Sequence, residues 1–212
     1  IPGGCFCCRF NSLVEAADKL TSATRPEVFI AEPVGSCTDL VATVTYPLRR
    51  LYGDRFTIAP FSVLLDPQRA LRVFGLGGGA GERRAFSDKV RYIYRKQIEE
   101  SDLVIINKCD SVAEADRVRL RAALVREYPH AEVLCVSARN GDGLGAWFDR
   151  LLAHEQVARR ATEVDYKIYA DGEALLGWLN ATIQLESAGE FDANAVLEHL
   201  ARDLQARLTA AG

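Results

Sequence analysis

The sequence predicts an α/β fold in which a mostly parallel sheet is flanked by helices, followed by a small C-terminal α+β segment. Short apolar runs typical of buried strands alternate with longer segments typical of helices as far as residue 154. That alternation favours βα units and therefore a parallel sheet. The pattern changes near residue 160, so we predict two domains, residues 1–158 and residues 159–212.

The composition is that of a globular protein and argues against several classes of function. Of the 212 residues, 49% are apolar and 26% are charged, and the net charge is −3. This charge gives no electrostatic reason to expect a nucleic acid partner. No apolar run approaches the roughly 18 residues that a membrane-spanning helix needs, so we expect no membrane partner. The chain begins at Ile1 and contains no methionine, and we expect it to be part of a longer translation product.

Each predicted element follows from its own residues. Four short apolar runs are predicted as buried strands: 28–31, 61–66, 103–106 and 133–136. Helices are predicted over 11–25, 39–52, 87–100, 113–128 and 146–154. In the C-terminal domain, alternation with period two over 164–169 and 175–185 predicts two strands, and Asp192 is predicted to cap an amphipathic helix.

One strand end carries a pattern that suits guanine recognition. Asn107-Lys108-Cys109-Asp110 directly follows the strand 103–106, where the loops of a parallel sheet bind ligands. The Asp110 carboxylate can accept hydrogen bonds from N1–H and the exocyclic amine of guanine, which adenine does not offer together. The Lys108 stem can lie along the base, and Asn107 can tie the loop to its neighbours. The next strand ends in Ser137-Ala138, where a backbone N–H can reach the guanine O6.

The cysteines of the chain are clustered rather than spread as in a disulfide framework, and three of the six fall within Gly4-Cys5-Phe6-Cys7-Cys8. Thiolates at this spacing in a turn can close on one ion such as Zn²⁺, or Co²⁺ in the same tetrahedral geometry. Cys37 lies two residues after Gly35 and is a candidate fourth ligand. The alternative is that these thiols pack as small hydrophobic side chains.

Together these motifs resemble a known family. Asn107-Lys108-Cys109-Asp110, the later Ser137-Ala138 and then Gly141-x-Gly143-Leu144 are similar to the guanine loops of P-loop GTPases. Glu32-Pro33-Val34-Gly35 matches the E-x-x-G of a metal-handling branch of those GTPases. Gly4-Cys5-Phe6-Cys7-Cys8 matches the G-C-x-C-C motif of the CobW-like (cobalamin-synthesis W) family. The chain therefore resembles CobW-like GTPases over residues 4 to 144, whereas the C-terminal segment matches no motif.

The resemblance implies roles, cofactors and partners. Glu32 would orient a water and the Mg²⁺ shell, and the Gly35 amide would sense the γ-phosphate of GTP. The segment after Gly35 would then switch between nucleotide states. The implied partners are a guanine nucleotide, a transition-metal ion (Zn²⁺ or Co²⁺) and a metal-requiring client protein. A cytoplasmic location is implied, and a homodimer is one assembly that the resemblance allows.

The sequence departs from the family in one respect. No G-x-x-x-x-G-K-[ST] occurs in the 212 residues, so the lysine for the β- and γ-phosphates and the hydroxyl for Mg²⁺ are missing from them. The family carries this loop upstream of its cysteine motif, and we expect that the chain is truncated before Ile1. By themselves, these residues are expected to bind GTP poorly and to hydrolyse it hardly at all.

We interpret the chain as a GTP-dependent metallochaperone or metal insertase of CobW-like type. GTP binding would set the conformation that holds the metal, and hydrolysis would release it to a client. Two alternatives stay open. One is a non-catalytic metal-binding or interaction module that retains the fold. The other is a chaperone of cobalamin enzymes from the same GTPase branch, in which the cysteines are structural.

Overall fold

The computed structural model describes residues 5–77, 86–153, 162–176 and 182–211. The chain divides into two compact units, residues 1–176 and residues 177–212. In chain order, the elements of the first unit are α1 (Phe10–Thr24), a π-helix (Val41–Thr45) that runs into α2 (Tyr46–Tyr52), β1 (Ser62–Leu65), α3 (Pro67–Val73), α4 (Asp88–Glu99), β2 (Leu103–Ile106), a 3₁₀ turn (Cys109–Ser111), α5 (Glu114–Glu127), β3 (Glu132–Cys135), α6 (Leu144–Ala153) and α7 (Tyr166–Glu173). The second unit contains α8 (Ala193–Ala211), and the Asp192 carboxylate accepts hydrogen bonds from its first-turn N–H groups, as predicted.

The predicted parallel sheet is confirmed, with three strands among the described residues. The strands are adjacent in the order β1, β2, β3, and both pairings are parallel. Val104 and Ile106 of β2 pack with residues of α3 and α5, whereas Leu103 and Ile105 pack with residues of α6. All four side chains are buried, which is the two-sided burial expected of a central parallel strand. The predicted helices of this part of the chain are confirmed over the described residues.

The predicted strand at 28–31 is wrong. Residues 28–34 lie outside any helix or strand, and Ile30 is 94% exposed. A strand needs a neighbour that pairs with its backbone N–H and C=O groups. Among the described residues no strand pairs with this segment, so its apolar composition does not suffice to form one.

The strand predicted at 164–169 is also wrong, because α7 occupies most of it. The Asp165 carboxylate accepts hydrogen bonds from two N–H groups of the first turn, and this N-cap fixes the start of the helix. The second predicted strand, 175–185, lies partly outside the described residues, and its described ends form no strand. The boundary predicted between residues 158 and 159 lies outside the described residues and stays a prediction. None of the described helices has the length and apolar character needed to cross a bilayer.

Candidate metal centre and guanine-binding loop

The structure brings three of the four predicted metal ligands together. Cys5 and Cys7 lie in a turn closed by the N–H of Cys8, which donates to the carbonyl oxygen of Cys5 at 3.2 Å. Cys37 arrives from a second turn, in which its N–H donates to the carbonyl oxygen of Val34 at 2.8 Å. The Sγ of Cys37 lies 3.1 Å from that of Cys5 and 3.1 Å from that of Cys7. All three sulfurs lie within 4.8 Å of one another, so they can face a single ion.

The fourth predicted ligand, Cys8, lies outside this group of three. Its side chain is exposed, and its Sγ lies 3.7 Å from that of Cys7. An ion held by the other three sulfurs would keep a coordination position for a further ligand, as an ion that is to be transferred requires. Cys109 also lies outside the group: it is buried and donates to the carbonyl oxygen of Ile106 at 3.0 Å.

The three cysteines pack against a small apolar core. Phe6, Leu40 and Val44 are buried around Cys37, and Leu13, Leu48 and Phe61 pack against them. This core excludes water from one side of the sulfurs. Attraction between a thiolate and a cation is stronger where water is excluded, so the packing favours a bound ion over free thiolates.

The three thiols differ in how readily they lose a proton. Burial raises the pKa of the Cys37 thiol to about 12, and burial also raises the pKa of Cys7. Burial acts in the same direction on Cys5, but hydrogen bonds from Cys7 and from the Val34 N–H outweigh it and lower the pKa of Cys5. Cys5 is therefore the first of the three to ionise. A metal must displace the remaining protons, so its affinity rises with pH.

The last residue of the E-x-x-G segment and the nearby Cys37 are both tied to α4. The carbonyl oxygens of Gly35 and Cys37 both accept from the Nε2 of Gln97, at 2.8 and 3.0 Å. One side chain of α4 thus fixes the turn that carries Cys37. Glu32, by contrast, is exposed and lies outside any helix or strand. The roles assigned to Glu32 and Gly35 toward GTP stay predictions.

A buried carboxylate holds the chain just after Cys37. The N–H of Asp39, which has a φ of 61°, donates to Glu100, and the N–H of Val41 donates to the same carboxylate at 3.2 Å. Glu100 is 3% exposed, and burial raises its pKa to about 7. The N–H groups at the start of the helix that follows offset only part of the cost of burying this carboxylate. Glu100 and Gln97 therefore anchor the turn at two points.

The predicted guanine residues also lie together, at the carboxyl ends of β2 and β3. The Oδ1 of Asn107 accepts from the N–H of Lys108 at 2.7 Å and from that of Ala138 at 3.1 Å, which joins the two loops. A hydrogen bond from Ser137 holds the pKa of the Asp110 carboxyl below its ordinary value. Asp110 is exposed and ionised, as acceptance from a guanine would require.

Two glycines shape the loop after β3. Gly141 and Gly143 have φ values of 85° and 73°, which favour glycine. A Cβ added to Gly143 would lie 2.3 Å from the carbonyl oxygen of Cys135, so the G-x-G turn returns the chain against β3 only with glycine there. This return keeps Ser137 and Ala138 beside the Asn107 loop.

Sequence reasoning missed several residues of these sites. The Nζ of Lys108 lies 2.9 Å from Oδ2 of Asp66, which directly follows β1. The position of Asp66 directly after a predicted strand could have indicated this contact, because the carboxyl ends of neighbouring parallel strands share one edge of the sheet. Gln97 and Glu100 gave no signal, because polar side chains of an amphipathic helix are usually solvated.

A family model matches the part of the chain that carries the cysteine cluster and the Asn107 loop. The CobW/HypB/UreG nucleotide-binding domain matches residues 1–134. The chain belongs to the CobW/HypB/UreG family. The resemblance inferred from the motifs is therefore confirmed, and with it the nucleotide-binding α/β fold of a family of metal-handling GTPases. Ser137, Ala138 and α7 lie beyond the matched residues. No curated protein and no solved structure matches the chain significantly.

Proposed function

We propose that this CobW/HypB/UreG family member is a GTP-dependent metallochaperone that carries Zn²⁺ or Co²⁺ on Cys5, Cys7 and Cys37. The observation that supports this is the convergence of the three sulfurs, with Sγ–Sγ distances of 3.1 Å to Cys37. A tetrahedral zinc ion with Zn–S bonds of about 2.3 Å spaces its sulfurs about 3.8 Å apart, so the cluster needs to open by only about 0.7 Å. Sulfur ligands select such ions over Mg²⁺, which belongs with the nucleotide phosphates.

The same thiols bear on the cellular location that we propose for the protein. All six cysteines are free. A reducing compartment such as the cytoplasm would keep them so, and would leave the cluster ready for metal. The open coordination position would accept a ligand from the metal-requiring client protein during transfer. A homodimer stays a prediction.

Control by GTP would act through the turn that carries Cys37. Gly35 and Cys37 share one anchor, the amide of Gln97. In the proposal, Glu32 orients the water and the Mg²⁺ shell, and the Gly35 amide senses the γ-phosphate. A shift of Gly35 would move Cys37 with it and change the number of sulfurs on the ion. GTP would favour retention of the metal, and hydrolysis would favour its release.

This proposal predicts that guanine nucleotides control metal release. We expect zinc to pass from the protein to a chromogenic chelator about tenfold more slowly with GTP than with GDP, and ATP to have no effect. Asp110→Asn should move the preference from guanine to xanthine, because an amide donates where the carboxylate accepts. Asp88→Asn, which changes an exposed carboxylate at the start of α4, is the matched control and should keep the guanine preference.

Two other results of these experiments would favour the alternative functions. Equal release rates with all nucleotides, from a chain that still binds zinc through three sulfurs, would contradict the coupling and favour a non-catalytic metal-binding module. A chain that binds guanine nucleotide but no metal would favour a structural role for the cysteines, as in a chaperone of cobalamin enzymes.

A further inference from the structure

Helix α7 lies beyond the matched family domain, yet it packs beside the turn that carries Cys37. It is held on α4 by an ion pair between Lys89 Nζ and Asp171 Oδ2 at 2.7 Å. The two helices approach closely at Gly172, where an added Cβ would lie 2.7 Å from the Cδ1 of Ile93. Glycine at this position therefore brings the polar residues of α7 within reach of the Cys37 turn.

Two side chains of α7 bind the residues on either side of Cys37. The Oγ of Ser36 donates to Oε1 of Glu173 at 2.7 Å. Beyond Cys37, the hydroxyl of Tyr166 donates to the carboxylate of Asp39. Ser36 and Asp39 are buried, with 3% and 8% of their surface exposed. Loss of either bond would leave a buried polar group unpaired, which makes these contacts strong restraints.

A third residue of α7, Tyr169, lies near enough to the cysteines for their charge to affect its ionisation. Burial, a hydrogen bond with Glu173 and the nearby Cys37 and Cys7 thiols all raise the pKa of Tyr169. Its hydroxyl therefore keeps its proton. Glu173 accepts from the buried Ser36, so one carboxylate joins the helix to the turn.

We propose that Glu173 and Tyr166 are positioning residues of the metal site, which hold the turn 36–39 so that the sulfur of Cys37 faces the other two. This inference rests on the proposed function, because it takes the three sulfurs as the metal ligands. Helix α7 adds no ligand and acts through Cys37. The chain beyond the matched family domain thus affects the affinity of the site for metal. Displacement of α7 would lower that affinity.

The test compares Glu173→Leu with Asp171→Leu in the full chain, with Co²⁺ as the probe. Both variants remove a carboxylate from α7, but only Glu173 contacts the Cys37 turn. We expect Glu173→Leu to lower Co²⁺ affinity about ten- to a hundredfold, as loss of a group that orients a ligand does. The sulfur-to-cobalt absorption at saturation should fall by about a third, because two of three thiolates remain bound. Asp171→Leu should change neither the affinity nor the absorption.

A conservative variant separates positioning from folding. Glu173→Gln keeps an acceptor oxygen for Ser36, so its Co²⁺ affinity should lie within about threefold of the unaltered chain. Circular dichroism and melting temperatures check that each variant folds. If Glu173→Leu does not fold, Tyr166→Phe replaces it, because it removes a single hydroxyl, and a loss of affinity and absorption is again expected.

The outcomes distinguish this inference from the function on which it rests. Unchanged Co²⁺ affinity and absorption in the folded Glu173→Leu or Tyr166→Phe chain would overturn the positioning role. The proposal that the three cysteines bind metal would be unaffected. Equal losses in Asp171→Leu and Glu173→Leu would also overturn it, because general docking of α7 would then suffice. A chain without substitutions that gives no sulfur-to-cobalt absorption would overturn the proposed function itself.

Discussion

Replacement of Cys37 by serine is expected to lower the affinity of the chain for Zn²⁺ by about a hundredfold or more. A four-ligand zinc site contributes about 10 to 16 kcal/mol, or roughly 3 kcal/mol for each ligand, and 1.4 kcal/mol corresponds to about a tenfold change in affinity. Cys5→Ser and Cys7→Ser should give similar losses, because both sulfurs lie 3.1 Å from that of Cys37. Competition with a chelator of known zinc affinity measures these changes.

Cys8→Ser is the matched control for this series. It makes the same chemical change next to Cys7, but the Cys8 thiol is exposed and lies outside the group of three. Its zinc affinity should stay within about threefold of the unaltered chain. Equal losses in Cys8→Ser and Cys37→Ser would restore the four-sulfur site predicted from the sequence. A large loss in Cys8→Ser with none in Cys37→Ser would contradict the geometry.

Glu100 is expected to make the chain less stable as the pH rises. Its pKa is about 7 when folded, because it is buried, against an ordinary value of 4.5. Between these two values the folded state holds the proton and the unfolded state has lost it, so the free energy of unfolding falls as pH increases. From about pH 5 to about pH 8, the loss should be roughly 2 to 3 kcal/mol. Urea unfolding of the metal-free chain at both pH values measures it.

Glu100→Gln isolates this effect from the other titrating groups. Glutamine fills the same space and cannot ionise, so the difference in stability between the two chains should carry the Glu100 contribution alone. We expect the glutamine variant to lack the loss of about 2 to 3 kcal/mol between the two pH values. A pH dependence identical in both chains would contradict a buried, proton-binding Glu100.

The sheet and the loops at its carboxyl edge could be predicted because the signals for them are local. The run 103–106 is apolar throughout, as a central parallel strand requires, and it is buried on both faces. The loops at Asn107 and Ser137 follow adjacent strands, so their meeting at one edge of the sheet follows from topology alone. The grouping of Cys37 with Cys5 and Cys7 was less certain from the sequence, because it depends on how two turns meet.

The remaining features depend on partners that are distant in the sequence. The run 28–31 has the composition of a strand, but a strand exists only where a neighbour pairs with it, and none of the described residues does so. Six residues of alternating character suggested a strand at 164–169, although the helix-capping side chain of Asp165 was a signal to the contrary. The contact between Ser36 and Glu173 joins residues 137 positions apart, and no local sequence pattern predicts it.

The number of sulfur atoms bound to zinc tests the central claim most directly. X-ray absorption at the zinc edge, on the chain loaded with one equivalent of Zn²⁺, distinguishes sulfur from nitrogen and oxygen neighbours. Three sulfurs at about 2.3 Å and one lighter ligand at about 2.0 to 2.2 Å are expected, and two sulfurs after Cys37→Ser. Two or fewer sulfurs in the unaltered chain, or a sulfur count that Cys37→Ser leaves unchanged, would contradict a metal site built from Cys5, Cys7 and Cys37.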